Sequence, residues 1–276
     1  MNNDIEAVLW NIVGGIIVSA LTALYIHLRS RLRCYHLQRL LGLRIRERTE
    51  VRITYGQLML PTLKDPTGKT ITHPYVKKPR RGQFPTTANA FSMEHAISEC
   101  EVRASTYLTA MLASPRVFKP ILISDTDTED LLDSNFIALG GPGSNYKSAD
   151  ILLSPANIFI DMSFSGIALK SGEPLPSICN ADIDYGVILR VRSPEFPDRS
   201  WIVCAGLGEW GTSGTAWFLA NKWRELLCSV HPIACFLGIC PIPDFLAVVK
   251  VTRYQDQSAQ VVQLYRRSGA SLKKVK

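Results

Sequence analysis

Motifs that hold metals or activate nucleophiles are almost absent from this chain. The seven cysteines form no CxxC pair and the five histidines form no HExxH, so neither a structural zinc site nor a zinc-peptidase centre is expected. Ser213 stands in Gly-Thr-Ser-Gly-Thr, which lacks the final glycine of a nucleophile elbow. We therefore predict no metal centre and no serine-hydrolase triad.

Two nucleotide-binding motifs are present only in incomplete form. The stretch 206–211 satisfies GxGxxG, but no acidic residue ends a second strand about 20 positions later, because Glu225 falls within a predicted helix. In the stretch 141–148, Tyr146 replaces the glycine that precedes the lysine of a phosphate loop. These departures exclude a standard nicotinamide-dependent dehydrogenase and argue against an ATPase.

One apolar run is long enough to cross a bilayer. Residues 7–26, roughly 20 residues, carry no formal charge, which is the length of a transmembrane helix. Asp4 and Glu6 precede the run, where a signal peptide has basic residues. Trp10 and Tyr25 near its ends suit the membrane interface. We predict a single transmembrane helix.

The basic residues that follow predict the orientation of this helix. Much of the net charge of +7 lies in one segment that contains Arg29, Arg31, Arg33, Arg39, Arg44, Arg46 and Arg48. Positive charge beside a span marks the cytosolic side, so we expect an inner or plasma membrane protein with its N-terminus outside. Because this excess is local, nucleic acid is not an expected partner. The odd number of cysteines fits a reduced, cytosolic domain.

Four parts of the chain follow from these patterns. They are a transmembrane anchor (1–27), a basic juxtamembrane helix (28–50), a cytosolic α/β domain (51–268) and a basic tail (269–276). Within the anchor, Asn11, Gly15, Ser19 and Ala23 share one face, which favours a homo-oligomer through that helix. The alternative is an anchor whose small residues have no such role.

Strands alternate with helices in the soluble part. Helical periodicity predicts a helix over 92–114 and another after residue 211. Apolar runs predict strands at 51–55, 121–123, 136–139, 158–162, 186–191, 201–205, 245–252 and 259–265. A turn near 256–257 is expected to join the last two of these strands. Residues 61–85 read as a long loop, either a lid or a solvated segment. This order predicts a three-layer Rossmann-like or flavodoxin-like α/β domain, with ligands at the carboxyl ends of the strands.

Two glycine-rich turns each follow a predicted strand, and they define the candidate ligand site. The proposed ligand-binding residues are Gly140, Gly141, Asn145, Gly206, Gly208, Gly211 and Thr212. Amide groups at the start of a helix attract anions, so the ligand is expected to carry phosphate or to resemble a nucleotide. The alternative is a pair of tight turns that need glycine for their geometry. The site also requires both turns to lie at one edge of the sheet.

Carboxylates are the best candidates for catalysis, because an acid can assist cleavage of a nucleotide N-glycosidic bond. The foremost are Asp184, Glu209 and Asp125, with Asp127 and Asp182 also near predicted strand ends. Asp184 opens a strand that should lie near the 201–205 strand. Solvated surface acids are the alternative for each.

Several short motifs together resemble a known module. They are Gly140-Gly141-Pro142 with Asn145, Asp184-x-Gly186, Ala205-Gly206 with Gly211-Thr212, and Thr215-Ala216. This set resembles a little-characterised prokaryotic Rossmann-like module with GGPxxN and AG…GT motifs, as in membrane-anchored effectors of bacterial signalling or antiviral defence. The resemblance covers roughly residues 51–229 and implies a Rossmann-like fold that handles nucleotides; it names no cofactor and no catalytic set.

Two functions remain open from the sequence. The first is a single-pass membrane protein whose domain binds a nucleotide-like ligand and acts as a signalling or defence effector. The second is a membrane-tethered NAD or nucleoside glycohydrolase. A non-catalytic scaffold that uses the basic juxtamembrane helix is a third interpretation.

Overall fold

The computed structural model describes residues 2–43, 49–59, 62–64, 70–72, 76–77, 97–113, 118–163, 166–176, 179–232, 242–269 and 271–276. Its helices are α1 (Asn2–Leu41), α2 (Glu99–Ala113), α3 (Tyr146–Leu153), α4 (Glu209–Asn221) and α5 (Trp223–Val230). Its strands are β1 (Thr49–Tyr55), β2 (Leu58–Met59), β3 (Thr62–Lys64), β4 (Thr70–Thr72), β5 (Val76–Lys77), β6 (Phe118–Ser124), β7 (Phe136–Leu139), β8 (Ile160–Ser163), β9 (Gly166–Leu169), β10 (Ile183–Arg192), β11 (Ser200–Gly206), β12 (Phe245–Thr252), β13 (Gln255–Ser268) and β14 (Ser271–Lys274).

Eight of these strands form one mixed sheet in the order β14-β13-β12-β10-β11-β7-β1-β6. The strands β11, β7, β1 and β6 run parallel, whereas β10, β12, β13 and β14 each run antiparallel to their neighbours. The expected α/β class is confirmed. Of the antiparallel half, the pairing of β12 with β13 across a turn was expected and is confirmed. The antiparallel pairing of β10 with β11 was not predicted; it arises because the connection 193–199 is too short for the crossover that parallel strands need.

Both faces of the sheet are covered, as the apolar runs predicted. In β7, Phe136 and Ala138 belong to the hydrophobic cluster that contains α3, and Ile137 and Leu139 belong to the cluster that contains α2 and α4. Successive side chains of a strand point to opposite faces, so a strand buried on both sides reads as an unbroken apolar run. Helices therefore flank the parallel strands on both sides.

Helix α1 continues without a break from the exposed apolar stretch into the core of the domain. Its segment Ile12–Leu41 is long and apolar enough to cross a membrane, and the most apolar window of that segment is fully exposed. A membrane anchor and a signal sequence both fit that composition. Leu37, Leu40 and Leu41 are buried in the same cluster as α2 and α4. The end of this helix is thus part of the domain.

The end of α1 packs against a buried arginine, Arg190. The helix ends in a Schellman motif, in which the Leu43 amide donates to the Gln38 carbonyl and Gly42 adopts a φ of +72°. A Cβ at Gly42 would lie 2.5 Å from Nη2 of Arg190 and 2.9 Å from Oγ of Ser200. Arg190 cannot move aside easily, because it is fully buried and its Nη1 donates to the carbonyls of Ile242 and Pro243 at 3.0 Å. Burial lowers the pKa of Arg190 to about 10, which still leaves it a cation at the negative end of the α1 dipole.

Some local expectations differ from the structure. The 61–85 segment was predicted as a loop, yet its described parts include β3, β4 and β5, which form short antiparallel pairs. The turn between β12 and β13 lies at Arg253 and Tyr254, before the predicted position. Cys228 is disulfide-bonded, so the expectation of a wholly reduced domain is wrong at this residue. The predicted helix start at Ser92 lies outside the described residues.

Replacing Gly42 with Ala tests the docking of α1 on Arg190. A left-handed conformation costs a residue with a Cβ about 1–2 kcal/mol, and the clash with Arg190 adds roughly 1–3 kcal/mol of overpacking. Gly269→Ala is the matched control, because Gly269 has a φ of +62° but nothing lies within 4 Å of the place that its Cβ would take. We expect Gly42→Ala to lower the free energy of unfolding clearly more than Gly269→Ala in denaturant titrations of the full chain in detergent. Equal losses would contradict the docking.

Candidate functional site

The two glycine turns lie side by side at one edge of the sheet. Strand β1 lies between β6 and β7 in the sheet. The connection that follows β1 leads to β6 on one side of it, and the next connection leads to β7 on the other side. Such a reversal of strand order opens a crevice at the carboxyl ends of the strands. A cavity of about 300 Å³ occupies this place. Leu58 after β1, Gly141 after β7 and Gly206 at the end of β11 line it, together with Glu101 of α2 and Glu209 of α4.

Direct distances show how close the turns are. The Gly140 amide donates to the Cys204 carbonyl at 3.0 Å, and a Cβ on Gly141 would lie 3.7 Å from the carbonyl oxygen of Gly206. The predicted residues that line the cavity are Gly140, Gly141, Gly206, Gly208 and Thr212, whereas Gly211 and Asn145 do not line it. The condition that the turns share an edge is met.

The polar side chains predicted to orient a phosphate are engaged within the protein. Asn145 is fully buried, its Nδ2 donates to the Thr54 carbonyl at 3.0 Å, and its Oδ1 accepts from the Ser148 amide as the N-cap of α3. The hydroxyl of Thr212 accepts from the Gly206 amide at 3.0 Å. Both side chains thus hold the turns in shape.

The carboxylate of Asp184 accepts hydrogen bonds from two backbone amides at the start of α4. Its side chain is fully buried; Oδ1 accepts from the Gly208 amide at 3.1 Å, and Oδ2 accepts from the Gly211 amide at 2.8 Å. Gly208 is the N-cap of α4 and has no side chain to do this. The helix comes this close because glycine stands at Gly206 and Gly211, where a Cβ would lie 2.3 Å from backbone atoms of Thr212 and Tyr185. These amides are therefore not available to an anionic ligand.

The other helix that follows a glycine turn is capped in the same way. Asp125 is fully buried beyond the end of β6, and its Oδ2 accepts from the Tyr146 amide at the start of α3 at 2.7 Å. Asp127 and Asp182 are exposed and do not line the cavity. Of the carboxylates predicted as catalytic, Asp125 and Asp184 are thus engaged at helix starts, and Glu209 lies at the cavity.

Replacing Asp184 with Asn should destabilise the domain. The Asn side chain keeps one acceptor but places an NH₂ group against an amide donor, and hydrogen bonds to a charged group contribute about 1.5–3 kcal/mol. We expect the free energy of unfolding to fall by about 2–3 kcal/mol in denaturant titrations. The control is Asp182→Asn, the same change at an exposed position two residues earlier, which should stay within about 0.5 kcal/mol of the wild type. A similar effect of both changes would rule out the capping role.

Two residues of the cavity were missed from the sequence. Glu101 is almost fully buried, and its Oε2 accepts from the Gly56 amide at 2.9 Å. Its Oε1 lies 2.8 Å from the position of a Cβ on Gly140, so this carboxylate joins the loop after β1 to the first glycine turn. Cys100, beside it, also lines the cavity. The signal for Glu101 was available, since it falls in register with the buried positions Ala104 and Leu108 of α2.

The thiol of Cys100 is held in its protonated form. Burial, to which the charges of Glu101 and Glu209 add, raises the pKa of Cys100 from 9.0 to about 11, against the hydrogen bond with Ser98. A neutral thiol is a poor nucleophile, so Cys100 is a wall of the cavity rather than a reactive centre at neutral pH.

This pKa predicts how stability depends on pH. The folded state binds the Cys100 proton more tightly than the unfolded state, so the contribution is fully present below pH 9 and is lost as the pH rises towards 11. Over that interval the wild type should lose about 2 kcal/mol more of its free energy of unfolding than Cys100→Ala. Chemical denaturation at several pH values compares the two proteins, and parallel pH curves would contradict the assignment.

Other groups singled out in the sequence lie away from the cavity. The Lys147 ammonium is buried over the Phe136 ring at 4.3 Å. The Ser213 hydroxyl donates to Oδ1 of the buried Asp256 at 2.6 Å, and it is itself fully buried. Within the described ranges, no group of three or more His, Cys, Asp or Glu side chains could hold a metal ion.

Comparisons with known proteins do not identify a family or a function for this chain. No protein-family model, no curated protein and no solved structure gives a significant match to this chain. The resemblance to the GGPxxN and AG…GT module therefore stays a prediction.

Proposed function

We propose that this chain is a single-pass membrane protein whose α/β domain binds a nucleotide-like ligand in the cavity between the glycine turns and acts at the membrane as a signalling or defence effector. The observation that carries the proposal is that both turns and Glu209 line one cavity at the crevice between the β1 and β7 loops. Ligands of open α/β sheets bind in such crevices.

The sheet order supports a flavodoxin-like arrangement of the parallel half. In chain order β1, β6, β7 and β11 are the first to fourth parallel strands, and their order in space is 2-1-3-4. Doubly wound nucleotide-binding domains of this order hold the ligand between the loops of the first and third strands. The cavity lies at the corresponding place.

The chemistry of the cavity favours a sugar and base over a phosphate. Among its described lining residues there is no lysine, arginine or histidine, while the exposed Glu209 supplies a carboxylate and Gly206 a carbonyl; the lining also contains the hydroxyl groups of Ser98, Ser144, Ser163 and Thr212. Acceptors of this kind recognise hydroxyl and amino groups. Since the lining holds no cationic side chain and Asp184 accepts from the Gly208 and Gly211 amides, we expect the nucleoside part of the ligand to occupy the cavity and any phosphate to lie outside it.

Helix α1 is the basis for both the proposed membrane anchorage and the proposed response to ligand. The burial of Leu37 and Leu40 in the domain core supports a permanent anchor rather than a cleaved signal. The arginines after the apolar run support a cytosolic domain in an inner or plasma membrane, whereas the Cys228 disulfide weighs towards an oxidising compartment. The output we propose is ligand-driven homo-oligomer formation through the Asn11 to Ala23 face of α1.

A second function is favoured by the two carboxylates. Glu101 and Glu209 flank the same cavity, and a carboxylate beside a ribose can stabilise the oxocarbenium-like centre that forms when an N-glycosidic bond breaks. This would make the protein a membrane-tethered NAD or nucleoside glycohydrolase, with the exposed Glu209 as the catalytic acid. The two functions share the site and differ in turnover.

Filling the cavity through Gly141 tests the proposed site. A Cβ at Gly141 meets only ordinary contacts, to Met162 at 3.6 Å and to Gly206 at 3.7 Å, so Gly141→Ala should fold and bind normally. Gly141→Leu should fold but place its side chain between the turns, which we expect to weaken binding at least tenfold. The measurement is calorimetric titration of the full chain in detergent with NAD and a panel of nucleosides and nucleotides.

Chromatography of the same mixtures for released base separates the two functions. Saturable binding without product supports the receptor, and turnover that Glu209→Gln abolishes while binding persists supports the glycohydrolase. Equal affinities of Gly141→Ala and Gly141→Leu for a bound compound would place its site elsewhere, and no binding of any compound would refute the proposed ligand class.

A further inference from the structure

A basic groove lies where α1 leaves its apolar stretch and meets the domain. Its volume is about 450 Å³, and it is lined by Tyr25, Ile26, Arg29, Ser30 and Arg33 of α1 and by Asn221, Trp223 and Arg224 of the α4–α5 junction. The lining contains three arginines and no acidic residue. We propose that this groove binds the headgroup of an anionic phospholipid.

The three arginines converge from two elements. Tyr25, Arg29 and Arg33 follow one another at intervals of four residues and so share one face of α1. Arg224 comes from the opposite wall, where its guanidinium lies 5.1 Å from the ring of the buried Trp223. The ion pairs found among the described residues involve none of these three arginines. Guanidinium groups bind phosphate and carboxylate oxygens through paired, charge-assisted hydrogen bonds, and anionic phospholipid headgroups carry a phosphate.

The position of the groove selects a lipid as the occupant. Its α1 wall begins at Tyr25, at the end of the apolar run, and extends eight residues to Arg33, about 12 Å along the helix. This length covers the headgroup layer, which is roughly 5–8 Å thick on each side of the hydrocarbon core. A headgroup can therefore reach the arginines while its acyl chains stay beside Ile26 and the apolar residues before it.

The start of α5 adds to the attraction. Lys222 is its N-cap and makes no side-chain capping bond, and Trp223 and Arg224 are its first residues. The first residues of α5 therefore line the groove, and the positive end of the α5 dipole lies on the same side of the groove as Arg224. Glu225 follows in the first turn but does not line the groove.

The inference rests on the proposed membrane anchorage and not on the ligand of the cavity. The test uses the full chain in neutral detergent, titrated with short-chain phosphatidylglycerol, short-chain phosphatidylcholine or inorganic phosphate, with the melting temperature as readout and native mass spectrometry to count bound lipids. We expect saturable stabilisation by phosphatidylglycerol alone. Arg29→Gln, Arg33→Gln and Arg224→Gln should each weaken it about fivefold, the effect of one basic residue near an anionic surface.

Arg31→Gln is the matched control, since Arg31 lies on the same helix, is exposed and does not line the groove. Its affinity for phosphatidylglycerol should equal that of the wild type. Equal stabilisation by phosphatidylcholine, equal stabilisation by inorganic phosphate, or a loss with Arg31→Gln as large as with Arg33→Gln would each overturn the proposal. Alkaline extraction of membranes that contain the full chain reports anchorage separately, and the nucleoside titrations report the cavity.

Discussion

The carboxylate of Asp184 is the interaction on which the candidate site depends. A fully buried charge needs hydrogen-bond donors, and the nearest are the first amides of α4, which no side chain of its N-cap residue satisfies. Glycine at Gly206 and Gly211 lets the helix approach closely enough for these bonds. The Gly208 and Gly211 amides are thus bound by Asp184, and the charged side chains that line the cavity are both carboxylates, Glu101 and Glu209. A turn that resembles a phosphate cradle in sequence therefore directs the Gly208 and Gly211 amides at Asp184 and not at the cavity.

Strand β10 joins the cavity edge of the domain to the end of α1. Asp184 stands near its start, and Arg190, six residues later or about 20 Å along the strand, receives the end of α1. Each of these charges is buried and each fixes the end of a helix, so neither helix can shift without disturbing the same strand. Helix α1 and the cavity are therefore both joined to one strand at the centre of the sheet.

The sequence predicted much of this arrangement because apolar runs mark strands buried on both faces. The strand 245–252 was predicted with its observed bounds, and the proximity of Asp184 to the 201–205 strand was expected and appears as pairing of Gly186 with Gly206. What could not be predicted was the direction of side chains. The sequence pattern around an acid at a strand end is the same whether its side chain faces solvent or caps a helix. The capping role of Asp184 could therefore not be predicted. Glu101 was not predicted because a buried helix face is recognised by its apolar residues, and a carboxylate at such a position does not belong to that pattern.

Helix α4 connects the cavity to the basic groove beside α1. It begins at Glu209, which lines the cavity, and ends at Asn221, which lines the basic groove beside Arg29. The helix is 13 residues long, so the two places are about 20 Å apart along a rigid rod. Its far end continues through the single residue Lys222 into Trp223 and Arg224, which line the same groove, so two consecutive helices join Glu209 to these two residues. Because acceptors line one end of this rod and guanidinium groups the other, a nucleoside and an anionic headgroup would act on the same helix from opposite ends.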